Sequence, residues 1–170
     1  MQSLSINPDN APDTYAALAN GERLLIWACR TWAACAGAGH CPLCPIEHEF
    51  GRLGIADAAY ALHALMCTTA TCATRPFQVH GPGCRMISAD EIRLVRAAAA
   101  AQQDQREPAL AQLLEWLPPA QANLVLNPLR AVALSLKNVG LELPVRSRKA
   151  VLESGIDYPD VRPPASNTLH

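Results

Sequence analysis

Apolar positions recur along this chain at the spacing of helices. The run Glu22 to Ala36, ERLLIWACRTWAACA, is apolar almost all round through Leu24, Leu25, Trp27, Ala28, Trp32 and Cys35. It predicts a central, buried helix. An earlier segment, Pro12 to Ala19, reads as a short helix that Asn20-Gly21 breaks. Asp57 to about Thr71 predicts another strong helix, carrying Tyr60, His63, Leu65 and Cys67 among alanines. Ser88-Ala-Asp-Glu91 is a capping box opening a helix to about Gln105, with Ile92, Leu94 or Val95 and then alanines facing the core.

Later segments follow the same period. Pro108 suits the first turn of a helix that ends at Leu117, before Pro118-Pro119. Gln121 to Asn138 is helical with a break or kink at Pro128, and Asn138-Val-Gly140 is a glycine stop. Strand signals are confined to Phe77–Val79 and Leu141–Val145. The expected architecture is all-α, a compact bundle of about five to seven helices. One helical domain is expected over residues 1–142, followed by a proline-rich, partly extended arm over 143–170.

Two stretches interrupt the helical pattern. Gly37 to Pro45, GAGHCPLCP, holds two glycines and two prolines and is a loop, with a short helix from Pro45 to Gly51 or Gly54. Arg75 to Ile87, RPFQVHGPGCRMI, is a second loop. Both carry cysteine and histidine.

Composition narrows the classes. The 170 residues suit a single domain with a real core. Thirty alanines and only 17% charged residues exclude intrinsic disorder. A net charge of −1 gives no global field for nucleic acid or an anionic membrane. The start, MQSLSINPDNAPDTY, lacks the basic and apolar regions of a signal peptide, so a cytoplasmic protein is expected. The longest uncharged run, Ala58–Thr74, includes His63 and is a poor membrane span. Arg130 to Lys149 has a local charge of +4 (Arg130, Lys137, Arg146, Arg148, Lys149 against Glu142), read as a solvated face and basic tail.

Seven cysteines cannot all pair within one chain, and without an export signal the thiols are expected to be reduced. Every cysteine and four of the five histidines lie between residues 29 and 84, a concentration that points to a site. Cys41-Pro-Leu-Cys44 has the spacing at which two thiolates can address one ion. His80 and Cys84 would complete a four-coordinate zinc site, with Cys72 and His48 as substitutes. An iron–sulfur cluster on Cys35, Cys41, Cys44 and Cys84, with Cys72 or Cys67 as alternatives for the fourth ligand, is the second metal reading, because C-x5-C-x2-C approaches a ferredoxin spacing. His63 and Cys67 share a helix face but read as core packing, as does Cys29. The metal reading implies a regulatory, accessory or interaction module. Its partner would be another protein, met through the apolar later helices and the arm, and oligomeric state stays open.

Cys41-x-x-Cys44-x3-His48 also resembles the motif of the alkylhydroperoxidase D-like and carboxymuconolactone decarboxylase families. That resemblance implies an all-helical fold and a catalytic dithiol: Cys44 peroxidatic, Cys41 resolving, His48 as base. It spans residues 41–48, and the acidic residue expected upstream has no clear counterpart, the nearest being Glu22, 19 positions before Cys41. The alternative to a metal module is therefore a thiol oxidoreductase or peroxidase-like enzyme.

Overall fold

The computed structural model describes residues 14–145. Six α-helices follow in order: α1 (Asn20–Gly37), α2 (Leu43–Arg52), α3 (Asp57–Cys72), α4 (Ala89–Gln102), α5 (Arg106–Leu113) and α6 (Pro119–Asn138). The expected all-α bundle is what forms. Neither strand candidate becomes a strand; the described residues hold one isolated antiparallel bridge, between Thr14 and Met86. The long helix α6 packs against α3 and α4, α2 lies on α3, and α1 touches α2, α3 and α4.

The first helix differs from the sequence reading. Asn20-Gly21 opens α1, and before it lies only a 3-10 turn, Tyr15–Ala17. Glu22 starts α1 by accepting the Ala19 amide at 2.7 Å. Gly21 is needed for space. A Cβ there would stand 3.1 Å from Leu143 Cδ2 and 3.2 Å from the Leu141 carbonyl oxygen, so any side chain would crowd the 141–143 segment.

Other boundaries also have local causes. Ser88 caps α4 as expected: its Oγ accepts the Glu91 amide at 3.0 Å, and Glu91 accepts the Ser88 amide at 2.8 Å. The helix stops at Gln102 because Asp104 turns left-handed, at φ 59°. Pro128 sits inside α6 without breaking it. The carbonyl its ring leaves unbonded is that of Leu124, whose residue is 66% exposed, so water can satisfy it. Gly140, at φ 78°, ends α6, and the Leu141 amide returns to the Leu136 carbonyl at 2.9 Å.

The core combines large and very small side chains. Leu25, Ile46, Phe50, Leu62, Leu113, Trp116, Leu129 and Leu136 are fully buried, and so are Ala97, Ala98 and Ala99 on α4. Those alanines bring α4 close to its neighbours. Leu143, the first residue of the expected arm, is itself buried. The rest of the arm from residue 146, with Arg146, Arg148 and Lys149 of the basic run, lies outside the described residues, as does Pro12. Among the described residues, no helix is long and apolar enough to cross a membrane.

Candidate functional site

Cys41 precedes α2 and Cys44 lies in its first turn. The turn is tight because Gly39, at φ 72°, follows α1, and Pro42 leads directly into helix. Both thiols are free and exposed. The Cys44 thiol donates to the Cys41 sulfur across 2.8 Å. That bond, with the Cys44 and Leu43 amides at the helix start, holds the Cys41 pKa below the ordinary thiol value. Cys44 shifts the other way, because its proton is held against the Cys41 sulfur. Of the two thiols, Cys41 is therefore the one that ionises first.

Two residues that the sequence reading did not assign to a site border this pair. Glu47 lies three positions after Cys44, and its charge opposes ionisation of both thiols. Tyr60, on α3, donates its hydroxyl to Glu47 Oε1 at 2.7 Å and raises a bridge from α3 to α2. Helical spacing from Cys44 could have flagged Glu47. No sequence signal ties Tyr60 to it. His48 is exposed, one turn beyond Cys44 on the same helix face.

The second cysteine–histidine loop is built differently. Arg30, fully buried in α1, grips Glu91 with Nε to Oε1 at 2.7 Å and a second nitrogen to Oε2 at 3.0 Å. The same guanidinium donates to the carbonyls of Cys84 and Met86, each at 2.6 Å. Glu91 also accepts the His80 amide at 3.1 Å. One residue earlier, Asp90 receives two bonds from Arg75, at 2.6 and 2.7 Å, and the Gln78 amide at 2.9 Å. Ser88 Oγ donates to the Gln78 carbonyl at 2.6 Å. Residues 75–86 are thus strapped down by two buried carboxylates.

The carboxylates' acidity reflects those partners. Arg75 and the Gln78 amide hold the Asp90 carboxyl below its usual range against the opposing effect of burial. Burial pushes Glu91 up, but Arg30 and the Ser88 and His80 amides more than offset it, and the carboxyl stays low.

The nominated metal ligands fall on several elements. Cys35 is half-buried in the last turn of α1, where its carbonyl accepts the His40 amide at 2.8 Å. Cys72 ends α3 beside Thr71. His80 and Cys84 lie on the strapped loop. Cys41 and Cys44 are the nominated ligands that the fold sets in contact. Among the described residues, no three His, Cys, Asp or Glu side chains stand where they could hold one ion. Cys29 is packing, as expected: it is buried, which pushes its thiol up to about 12.

His63 and Cys67 are more than packing. Trp32 Nε1 donates to His63 Nδ1 at 2.9 Å, and the Cys67 sulfur lies 3.5 Å from His63 Nε2. Helical spacing makes the His63–Cys67 pair legible, but the indole comes from α1, 31 residues away. No family model, no curated protein and no solved structure matches the chain.

Proposed function

We propose that this chain is a thiol–disulfide redox protein whose working pair is Cys41 and Cys44. The observation that carries the reading is the exposed 2.8 Å Cys44-to-Cys41 contact at the start of α2, with helix amides lowering one thiol pKa. The Cys41 thiolate attacks a disulfide, forms a mixed disulfide and releases one thiolate. Cys44 then loses its proton to solvent and attacks the Cys41 sulfur. The substrate leaves as its second thiolate, and the Cys41–Cys44 disulfide holds the two electrons' worth of oxidation.

The resemblance to the dithiol families gives the attacking role to Cys44. The helix amides favour Cys41 instead, with Cys44 resolving. His48 shares the Cys44 face and is the candidate base for that second step. Exposure of both sulfurs suits a protein disulfide as substrate.

The test uses the reduced full-length chain and an aromatic disulfide reagent. Cys44→Ser is expected to accumulate a mixed disulfide on Cys41, while Cys41→Ser reacts at least tenfold more slowly. Failure of the wild type to form a Cys41–Cys44 disulfide in a glutathione redox buffer overturns the reading.

The metal reading keeps one supporting observation, which is that two thiols converge on one exposed point. Zinc, or secondarily an iron–sulfur cluster, would be bound there by Cys41 and Cys44 with donors brought from elsewhere. Elemental analysis after anaerobic purification decides between them: about one zinc per chain, or iron with sulfide, displaces the dithiol reading.

A further inference from the structure

A carboxylate without a cation stands beside the dithiol. Glu49, Asp90, Glu91 and Asp104 each have an arginine nitrogen within 3.3 Å. Glu47 has no such partner among the described residues. Its Oε1 accepts the neutral Tyr60 hydroxyl at 2.7 Å, which fixes the carboxylate without cancelling its charge. Glu47 follows Cys44 by three positions on α2 and so shares its face. Its charge reaches both sulfurs, and that of Cys44 reaches Tyr60.

The surroundings reinforce that sign. Between His40 and Tyr60 the chain holds Glu47, Glu49 and Asp57 against Arg52, and Arg52 is engaged by Glu49. Asp57 is exposed, and its charge also reaches Tyr60. Tyr60 itself is 51% exposed. With its hydroxyl committed to Glu47, it offers solvent an aromatic ring next to a carboxylate, a pairing that suits an ammonium or guanidinium group. A disulfide attacked at Cys41 must set its flanking groups beside these side chains. Positive flanks are attracted there and negative flanks repelled.

Building on the dithiol reading, we propose that Glu47, fixed by Tyr60, makes the Cys41–Cys44 pair selective for disulfides flanked by cationic groups, such as the lysines and arginines of a basic polypeptide, over anionic disulfides. The chemistry is the exchange already given. The incoming disulfide is the oxidant, its two sulfurs leave as thiolates, and the Cys41–Cys44 bond forms. Glu47 meets the flanking charge and takes no part in the bonds that change.

The test mixes the reduced full-length chain with cystamine, hydroxyethyl disulfide or glutathione disulfide, which are cationic, neutral and anionic. Formation of the Cys41–Cys44 disulfide is followed by alkylation and mass spectrometry, at low salt and at a pH where His40 and His48 are neutral. Each rate is divided by that of 2-mercaptoethanol with the same disulfide, which cancels the leaving group and the charge of the attacking sulfur. Cystamine is expected to lead glutathione disulfide by about tenfold, and the lead should shrink in molar salt. Glu47→Gln should remove most of the lead while speeding the reaction with hydroxyethyl disulfide, because Cys41 then ionises more readily. Equal normalised rates overturn the proposal, as does a lead that survives Glu47→Gln or molar salt. Hydroxyethyl disulfide separates the two readings. If it oxidises the pair and cystamine has no lead, the dithiol reading stands and this proposal falls. If none of the three oxidises the pair, both fall.

Discussion

The two cysteine–histidine loops look alike in composition and are held by opposite means. The 37–45 segment, which the structure divides between the α1–α2 turn and the start of α2, projects its thiols at that helix start, and the bonds at its sulfurs are mutual or come from adjacent amides. The 75–87 loop is anchored from beneath, because Arg30 reaches it from α1, its own Arg75 grips Asp90 of α4, and Glu91 and Asp90 fix its amides. Glycine and proline punctuate both. What separates them is charge buried at a distance. A loop with exposed sulfurs and local bonds is free to change covalent state, whereas a loop tied to a buried ion pair is part of the scaffold.

The largest effect should come from cutting the anchor. Glu91→Ala leaves Arg30 buried and unpaired, together with the His80 and Ser88 amides. A loss of about 3–5 kcal/mol is expected in chemical denaturation. A loss below about 1 kcal/mol would mean that the pair does not secure the loop.

Acid should erode the same anchor more gradually. Glu91 and Asp90 titrate below their ordinary values of 4.5 and 3.8 in the folded state. Their stabilisation is therefore complete above those values and is lost as pH falls through the lower folded ones. The urea midpoint should hold between about pH 7 and pH 5 and drop below about pH 4. In Glu91→Ala that drop should shrink, and an unchanged acid limb would assign the acid sensitivity to other groups.

Ser88→Ala should cost about 0.5–2 kcal/mol, since one hydroxyl both caps α4 and ties Gln78. At the exposed loop, Cys41→Ser and Cys44→Ser should leave the melting temperature unchanged while removing disulfide formation. A large fall in melting temperature for both would place the 37–45 loop in the scaffold as well and erase the contrast.

Local patterns were legible where short-range physics decides. The Ser88 capping box, the Gly140 stop and the Cys41–Cys44 spacing all act within a few residues. Asn20-Gly21 misled because its glycine answers to Leu141 and Leu143, far along the chain. Glu91 was read as a cap alone, since nothing local announces Arg30, 61 positions earlier. The spacing nominated two thiols but could not rank them, because amide placement at the helix start does that. His63 and Cys67 had the right spacing for contact, yet their polar role depends on an indole from another helix.

One side chain late in α4 settles where this molecule can be shortened. Gln102 is buried, and its amide nitrogen donates to the Ala133 and Leu141 carbonyls at 2.9 and 3.2 Å. Its carbonyl oxygen accepts the Leu143 amide at 2.8 Å. A chain cut just after Glu142 would lose that acceptance and uncover the contact that Leu143 makes beside Gly21. A chain cut after Val145 would retain both. The smallest self-sufficient version of the bundle thus includes Leu143, which sequence pattern assigns to the tail, and expression trials should find a step in yield between those two cut points.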